Sequence, residues 1–175
     1  MDKADNVLLG LRSLLKIARL AKFEVVCIPG HNGHCYYWSN KIEVGMDLVN
    51  VEKLIVLAHE LGHVFDYTDN PPDIAETITL LKFSEAYILG QTYYDREVRA
   101  WEYTEYILSQ VGCLSTVKER FDSCKLSALS AYKKRKELAE QNGTNIPEPK
   151  AFAKAKEAVE KQRSMNDILN AGGDK

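Results

Sequence analysis

An H-E-x-x-H motif, His59-Glu60-Leu61-Gly62-His63, lies inside a run of residues with helical periodicity. Residues four apart lie on one face of an α-helix, roughly 6 Å apart along its axis, so His59 and His63 present two imidazoles to one point. This spacing suits a tetrahedral zinc ion, which takes about three protein ligands in a hydrolytic site and keeps one position for water. Glu60 is placed to accept a proton from that water. The motif therefore predicts a helix that carries a metal centre.

The residues around the motif favour a helix with one buried face. Asn50 is predicted to cap its first turn. The helix is predicted to end near Tyr67, because the T-D-N-P-P segment at 68–72 is a strong stop. The alternative is a chance motif in an ordinary helical protein, but the motif uses two of only four histidines in the chain. The apolar stripe consists of Leu54, Leu57, Ala58, Leu61 and Phe65.

The segment L-A-H-E-L-G-H resembles the zincin metallopeptidases, and the region from 41 to 106 resembles the minimal gluzincins, including the ImmA/IrrE-type proteins of phages and mobile elements. In that group a short strand precedes the H-E-x-x-H helix, and a later helix supplies a Glu in an E-x-x-A setting. This sequence has K-I-E-V-G at 41–45 and E-V-R-A at 97–100. The resemblance implies a zinc metallopeptidase that cleaves a protein substrate, with Glu60 as general base and acid.

The resemblance and the need for a third donor favour Glu97 as the third zinc ligand beside His59 and His63. Glu97 is predicted on a helix over 92–111, on the same face as Ala100, whose small side chain would let this helix approach the motif helix closely. The alternative is that Glu97 is a solvated charge between two neighbouring arginines.

The sequence departs from two related patterns, which leaves other site residues open. A metzincin has Gly and His where this sequence has Asp66 and Asp69, so that pattern fails, and Asp69 remains a second candidate for the third ligand. Thermolysin-type gluzincins have an Asp four residues after the ligand Glu, where this sequence has Trp101. The group that orients either histidine through its other ring nitrogen is therefore open, with Asp66 one candidate.

Peptide hydrolysis at such a site also needs a donor for the developing oxyanion, and Tyr67, Tyr93 and Tyr94 compete for that role. Two other functions stay open. One is a catalytically silent binding or regulatory protein on a zincin scaffold, and the other is a structural helical protein with an accidental motif. The resemblance points to a transcriptional repressor or other regulator as the protein partner, and the sequence gives no oligomeric state.

The residues before the motif predict a helix over 5–21 and a small, largely antiparallel meander. Strands are predicted at 23–28, 34–39 and 41–45, with Asn32-Gly33 as the turn of the first hairpin. His31 and His34 are interpreted as structural residues of this hairpin. If the strand at 41–45 forms the sheet edge, it could pair with an extended peptide beside the metal.

Charge and hydropathy restrict the partners and the compartment. The formal net charge is −2, divided between −5 for residues 1–132 and +3 for residues 133–175, so nucleic acid is not expected as the main partner. No apolar run approaches the roughly 18–20 residues of a membrane span, and no signal peptide is recognised. We therefore expect a cytoplasmic protein, in the host cytoplasm if it is phage-encoded, with its four cysteines as free thiols.

Together these features predict an α+β protein with a minimal zincin-like fold. Residues 1–141 are predicted to form the zincin-like domain, with bracing helices over 74–89, 92–111 and 115–141. A linker at 142–149 contains two prolines and precedes a charged helical or disordered tail at 150–175.

Overall fold

A three-stranded mixed sheet and α-helices make up the part of the chain that the computed structural model describes, residues 2–71 and 90–141. This confirms the α+β class. The elements in chain order are α1 (Lys3–Leu20), β1 (Glu24–Ile28), β2 (Gly33–Tyr36), a 3-10 helix (Tyr37–Ser39), β3 (Lys41–Gly45), α2 (Asn50–Asp69), α3 (Gly90–Gln110) and α4 (Leu114–Gln141).

The sheet has the strand order β1-β3-β2, which corrects the predicted antiparallel meander. β1 pairs with β3 in parallel, with Glu24 opposite Lys41 and Ile28 opposite Gly45. β2 pairs with β3 in the antiparallel direction, with Gly33 opposite Val44. The predicted hairpin between the first two strands is therefore wrong. β3 is the central strand, so the proposal that it offers a free edge to a peptide is also wrong.

The connection from β1 to β2 passes over the carboxyl end of β3, which explains this topology. The amide of Met46 donates to the Ile28 carbonyl at 2.7 Å, and the amide of Asp47 donates to the Gly30 carbonyl at 3.1 Å. The Asp47 carboxylate in turn accepts from the amide of Gly30 at 2.8 Å. Gly30 has a φ of 105°, and a side chain on Gly45 would overlap the Gly30 carbonyl, so both positions need glycine.

A tight reversal lies between β2 and β3. Tyr37–Ser39 form a single 3-10 turn, and Asn40 adopts the left-handed conformation with φ 51° and ψ 44°. Asn is one of the few residues that enter this region at small cost. The chain therefore reverses at Asn40 and lays β3 beside β2.

The core lies where α1, the sheet and α2 meet, and α3 and α4 extend it on the far side of α2. All members of the predicted stripe on α2 are buried except Phe65, which is half-buried. The largest fully buried side chains include Leu14 of α1, Ile42 of β3, Leu54 and Leu61 of α2, Leu108 of α3 and Phe121 of α4.

The boundaries of α2 differ slightly from those predicted. Asn50 is already the first helical residue, and Val49 before it makes no side-chain cap hydrogen bond, so the predicted Asn50 cap is wrong. At the other end the helix runs to Asp69, two residues beyond the predicted stop. The amide of Asn70 closes this end by donating to the Asp66 carbonyl at 2.7 Å.

Three of the predictions fall outside the described residues: the helix over 74–89, the linker at 142–149 and the tail at 150–175. The four cysteines are free thiols, as predicted. No helix among residues 2–71 and 90–141 combines the length and the apolar character that a membrane crossing requires.

Candidate metal centre

Helices α2 and α3 bring His59, His63 and Glu97 together. The two imidazoles lie edge to face on one side of α2, with ring centroids 4.6 Å apart. Nε2 of His59 is 3.4 Å from Glu97 Oε2, and Nε2 of His63 is 3.3 Å from Glu97 Oε1. One nitrogen from each ring and one carboxylate oxygen lie within 4.8 Å of one another. Three donor atoms on two helices therefore face a common point.

A close approach of the two helices makes this convergence possible. Gly62, between the motif histidines, faces Ala100, which is completely buried on α3. A side chain on Gly62 would overlap the Ala100 carbonyl oxygen. The sequence predicted the small residue on α3, and the structure adds the glycine opposite it on α2.

A buried ion-pair cluster holds α3 in register against the carboxyl end of α2. Asp66 is fully buried and accepts from Arg96 at 2.7 Å and from Arg99 at 2.5 Å. Asn70 donates to the same carboxylate at 3.1 Å. Arg96 and Arg99 flank Glu97 on α3, so the cluster helps to set the position of Glu97. Asp66 is therefore occupied by arginines, and its predicted contact with a histidine is not found.

The ring of His59 is held from two sides by α3. Trp101 stacks on it, with ring centroids 4.2 Å apart and an angle of 26° between the planes. Thr104 places its hydroxyl oxygen 3.5 Å from His59 Nδ1 and donates its own proton to the Ala100 carbonyl at 2.6 Å. Trp101 occupies the position at which thermolysin-type gluzincins have an Asp, and it contacts His59 through its ring face.

The ring of His63 has a different environment. It stacks on Tyr67 with centroids 6.1 Å apart. Its Nδ1 is buried without a hydrogen-bond partner among the described residues, and so is Oε2 of Glu97. Buried polar atoms without partners are rare in folded proteins, and an unfilled ligand position is an ordinary cause for Glu97 Oε2, which faces the histidines, but not for His63 Nδ1, which is the ring nitrogen turned away from Glu97. Two imidazoles and a carboxylate are a donor set that zinc takes in hydrolytic sites, so these residues fit a zinc ion.

Burial and charge shift the pKa values of the ionisable groups. Burial, the largest single effect, would lower the pKa of His63, but the charge and hydrogen bond of Glu97 together with the charges of Glu60 and Asp66 outweigh it and raise this pKa from 6.5 to about 9. Burial raises the pKa of Glu97, but the two histidines hold it well below its usual range. Glu97 is therefore an anion at neutral pH, which a metal ligand requires.

Glu60 lies beside the three donors and is only 6% exposed. Burial raises the pKa of its carboxyl, although the charges of His59 and His63 oppose the shift. Gly33, the first residue of β2, passes directly over it. A side chain on Gly33 would come within 2.7 Å of Glu60 Oε1 and would overlap the side chain of Val56. Sequence reasoning predicted only a turn at Gly33 and missed this contact with Glu60.

Two of the three donor residues, His59 and Glu97, line a cleft of about 500 Å³. His59, Glu60 and Glu97 form its floor, and His31 and Gly33 border it on the side of the sheet. Helix α4 forms the opposite wall, with small polar residues and a tyrosine at helical spacing, among them Ser123, Ser127 and Tyr132. Sequence reasoning missed this wall, although the spacing of the small residues on one face of α4 was a signal for it.

Neither Asp69 nor Tyr67 belongs to the described lining of the cleft, although Tyr67 stacks on His63. Asp69 is exposed and accepts a hydrogen bond from Tyr103, so it is not brought to the histidines. Tyr67 packs edge to face on Tyr37 and lies under Arg96, and it does not line the cleft. Tyr94 is likewise absent from the described lining. The side chain of Tyr93 lies outside the part of the chain that the structure describes.

Comparisons of the chain with protein-family models, with curated proteins and with solved structures find no match in any of the three.

Proposed function

We propose that this chain is a zinc-dependent metallopeptidase of the minimal zincin type. His59, His63 and Glu97 would bind the zinc ion, and Glu60 would act as general base and acid. The observation that carries the proposal is the convergence of the three donor atoms within 4.8 Å, beside a buried glutamate and at the floor of a cleft. The H-E-x-x-H motif alone would not have supplied the third donor.

The chain's own residues account for the proton transfers of peptide hydrolysis. Zinc, when bound, would lower the pKa of water towards about 7 and polarise the substrate carbonyl. Glu60 would accept the proton of the attacking water and deliver it to the departing amide nitrogen, which leaves poorly as an anion. Burial raises the pKa of this carboxyl, which makes it a stronger base towards the water proton. The anionic Glu97 would stay on the metal throughout.

The proposed substrate is a protein or peptide in the cytoplasm. The cleft volume of about 500 Å³ lies within the range of about 300–1,000 Å³ that is usual for ligand-binding clefts. The resemblance to ImmA/IrrE-type proteins makes a regulatory protein the class to test first. The proposal includes no nucleic acid and no membrane partner.

A comparison of the wild-type protein with Glu60→Gln tests this function. The change is nearly isosteric and leaves both histidines in place, so zinc content should be retained while cleavage falls by about 10²- to 10⁴-fold. Zinc is measured by elemental analysis of protein purified without a polyhistidine tag. Fragments of candidate regulatory proteins are followed by mass spectrometry.

Three outcomes would contradict the proposal. Equal cleavage by both proteins would exclude Glu60 as the base. Retention of zinc and of partner binding by both proteins without any cleavage would favour the binding or regulatory protein instead, and absence of zinc from the wild type would remove the metal centre itself.

A further inference from the structure

Thr104 is a completely buried residue of α3 whose hydroxyl oxygen lies 3.5 Å from Nδ1 of His59. It is two helical turns beyond Glu97, on the face that α3 turns towards α2. We propose that Thr104 is a positioning residue. Its hydroxyl oxygen accepts a hydrogen bond from Nδ1–H of His59 and thereby directs Nε2 of that ring to the metal. The inference rests on the metal centre proposed above.

The direction of the hydrogen bonds follows from the number of protons on the hydroxyl. A threonine hydroxyl has one proton and two lone pairs. The Thr104 hydroxyl donates a hydrogen bond to the Ala100 carbonyl at 2.6 Å, and this short bond occupies its one proton. Only lone pairs remain for His59, so Thr104 stabilises the ring form that carries a proton on Nδ1.

This proton assignment leaves the other ring nitrogen free to donate electrons. In a neutral imidazole with a proton on Nδ1, Nε2 carries the lone pair. Nε2 of His59 is the atom that faces Glu97, at 3.4 Å. A ring flipped by 180° would place the carbon Cε1 towards Glu97 and the carbon Cδ2 beside Thr104, so both contacts would be lost. Glu97 and Thr104 thus hold the same ring orientation, and Thr104 selects Nε2 as the ligand atom by keeping the proton on Nδ1.

No other described contact makes this selection. The stacking of Trp101 on His59 restrains the tilt of the ring, but a ring face does not distinguish the two nitrogens. Asp66 is bound to Arg96 and Arg99. Histidines that bind metals usually donate their second N–H to a carboxylate, a carbonyl or water. At His59 the threonine hydroxyl, connected to the Ala100 carbonyl, takes that place.

The ordinary structural role of a threonine in a helix explains only one of the two contacts of Thr104. Threonines in helices commonly bond back to the carbonyl four residues earlier, and Thr68 of α2 does so with Val64 at 2.8 Å. The contact from Thr104 to Ala100 is of this ordinary kind. The second contact, to a histidine ring nitrogen, has no counterpart at Thr68, which makes Thr68 a matched control.

Zinc affinity, measured by competition with a chromophoric chelator, tests the inference without an activity assay. Thr104→Val keeps the shape and removes the hydroxyl, and it should weaken zinc binding by about 10- to 100-fold. Thr104→Ser keeps the hydroxyl and should stay close to the wild type. Thr68→Val removes a back-bonded hydroxyl away from the histidines and should have no effect. Wild-type affinity in Thr104→Val, or equal losses in the Val and Ser variants, would overturn the inference.

A second measurement needs no variant. In the zinc-loaded wild type, the imidazole N–H of His59 should appear in long-range ¹H–¹⁵N spectra on Nδ1 and exchange slowly with water. A zinc-bound nitrogen identified as Nδ1 would overturn the inference even if Thr104→Val failed to fold. Absence of zinc from the wild type would instead contradict the proposed function, so the two failures are distinguishable.

Discussion

Gly62 of α2 lies so close to Ala100 of α3 that a methyl group on the glycine would overlap the carbonyl oxygen of the alanine. This carbonyl also accepts the hydroxyl proton of Thr104. The contact therefore sets the separation of the two helices at the level of the histidines. It places Glu97, three residues before Ala100, within reach of both rings.

Gly62→Ala should push the helices apart. Overpacking against backbone usually costs about 1–3 kcal/mol of unfolding free energy, and the displaced Glu97 should weaken zinc binding. Urea unfolding of the metal-free protein and chelator competition measure the two effects. The matched control is Gly10→Ala, because a side chain on Gly10 would overlap the Cys113 sulfur, away from the site. This control should lose stability but keep its zinc affinity. Equal zinc affinities in all three proteins would contradict the assigned role of Gly62.

The third ligand can be decided by one pair of variants. Glu97→Ala removes the carboxylate that lies 3.3 and 3.4 Å from the two histidines, so zinc affinity should fall by at least about 10-fold. Asp69→Ala removes an exposed carboxylate that is bonded to Tyr103 and should leave zinc affinity unchanged. Chelator competition on both variants gives the answer, and the reverse result would assign the ligand to Asp69.

Asp66→Asn should destabilise the protein by about 3 kcal/mol, because it leaves two arginines without their buried counter-charge. Arg96 is almost fully buried, whereas a third of the Arg99 side chain is exposed. Most of the loss should therefore come from Arg96, and Arg99→Gln should cost less than Arg96→Gln. Urea unfolding of the metal-free proteins measures all three changes. Equal losses for the two arginine variants would contradict this ranking.

Gly33→Ala should reduce peptide cleavage while zinc remains bound. The new methyl group would displace Glu60, and a displacement of about 1 Å at a reacting group can lower the rate by about 10²-fold. Because the methyl group would also meet Val56, the double variant Gly33→Ala with Val56→Ala is needed. If the double variant regains full activity, the contact with Val56 and not with Glu60 is responsible.

The stability of the metal-free protein should fall as the pH rises from about 6 to about 9. The folded-state pKa of His63 is raised from 6.5 to about 9. A raised pKa contributes stability that is fully present below the unfolded value of 6.5 and is lost as the pH passes through 9. Urea unfolding across this range should show the decline in the wild type. Glu97→Gln, which lacks the carboxylate charge, should show less of it.

Zinc binding should show the same linkage with the opposite sign. A proton on His63 competes with the metal, so apparent zinc affinity should rise with pH up to about 9 and binding near neutrality should release a proton. Calorimetry in buffers of different ionisation enthalpy counts the released protons. An affinity that does not depend on pH over this range would contradict the raised pKa.

Local periodicity in the sequence was sufficient for the elements that carry the site. The four-residue spacing places His59 and His63 on one face of α2, and the three-residue spacing from Glu97 places Ala100 at the helix contact. The arginines beside Glu97 supported the alternative of a solvated charge. In the structure they are neutralised by Asp66, a partner 30 or more residues away that helical spacing cannot reveal.

The pairing of the strands could not be predicted from local sequence patterns. Asn32-Gly33 is a strong hairpin signal, yet β1 and β2 are not neighbours, because hydrogen bonds between strands depend on which segment fills the space between them. The glycines at 30 and 45 allow the connection from β1 to β2 to cross close to the end of β3. This role is visible only from the contact between the two backbones. The roles of Gly33 and Thr104 likewise depend on contacts between distant segments.

The central position of β3 has a consequence for the order of folding. β1 and β2 share no ladder with each other, and each pairs only with β3, the last of the three strands to be synthesised. The sheet therefore cannot begin to form from the ribosome until residues 41–45 have emerged. Only four residues separate β3 from α2, so the strand that completes the sheet appears almost together with the helix that carries both histidines. The sheet and the helix that carries both histidines should consequently form in one cooperative step, with no stable sheet preceding it.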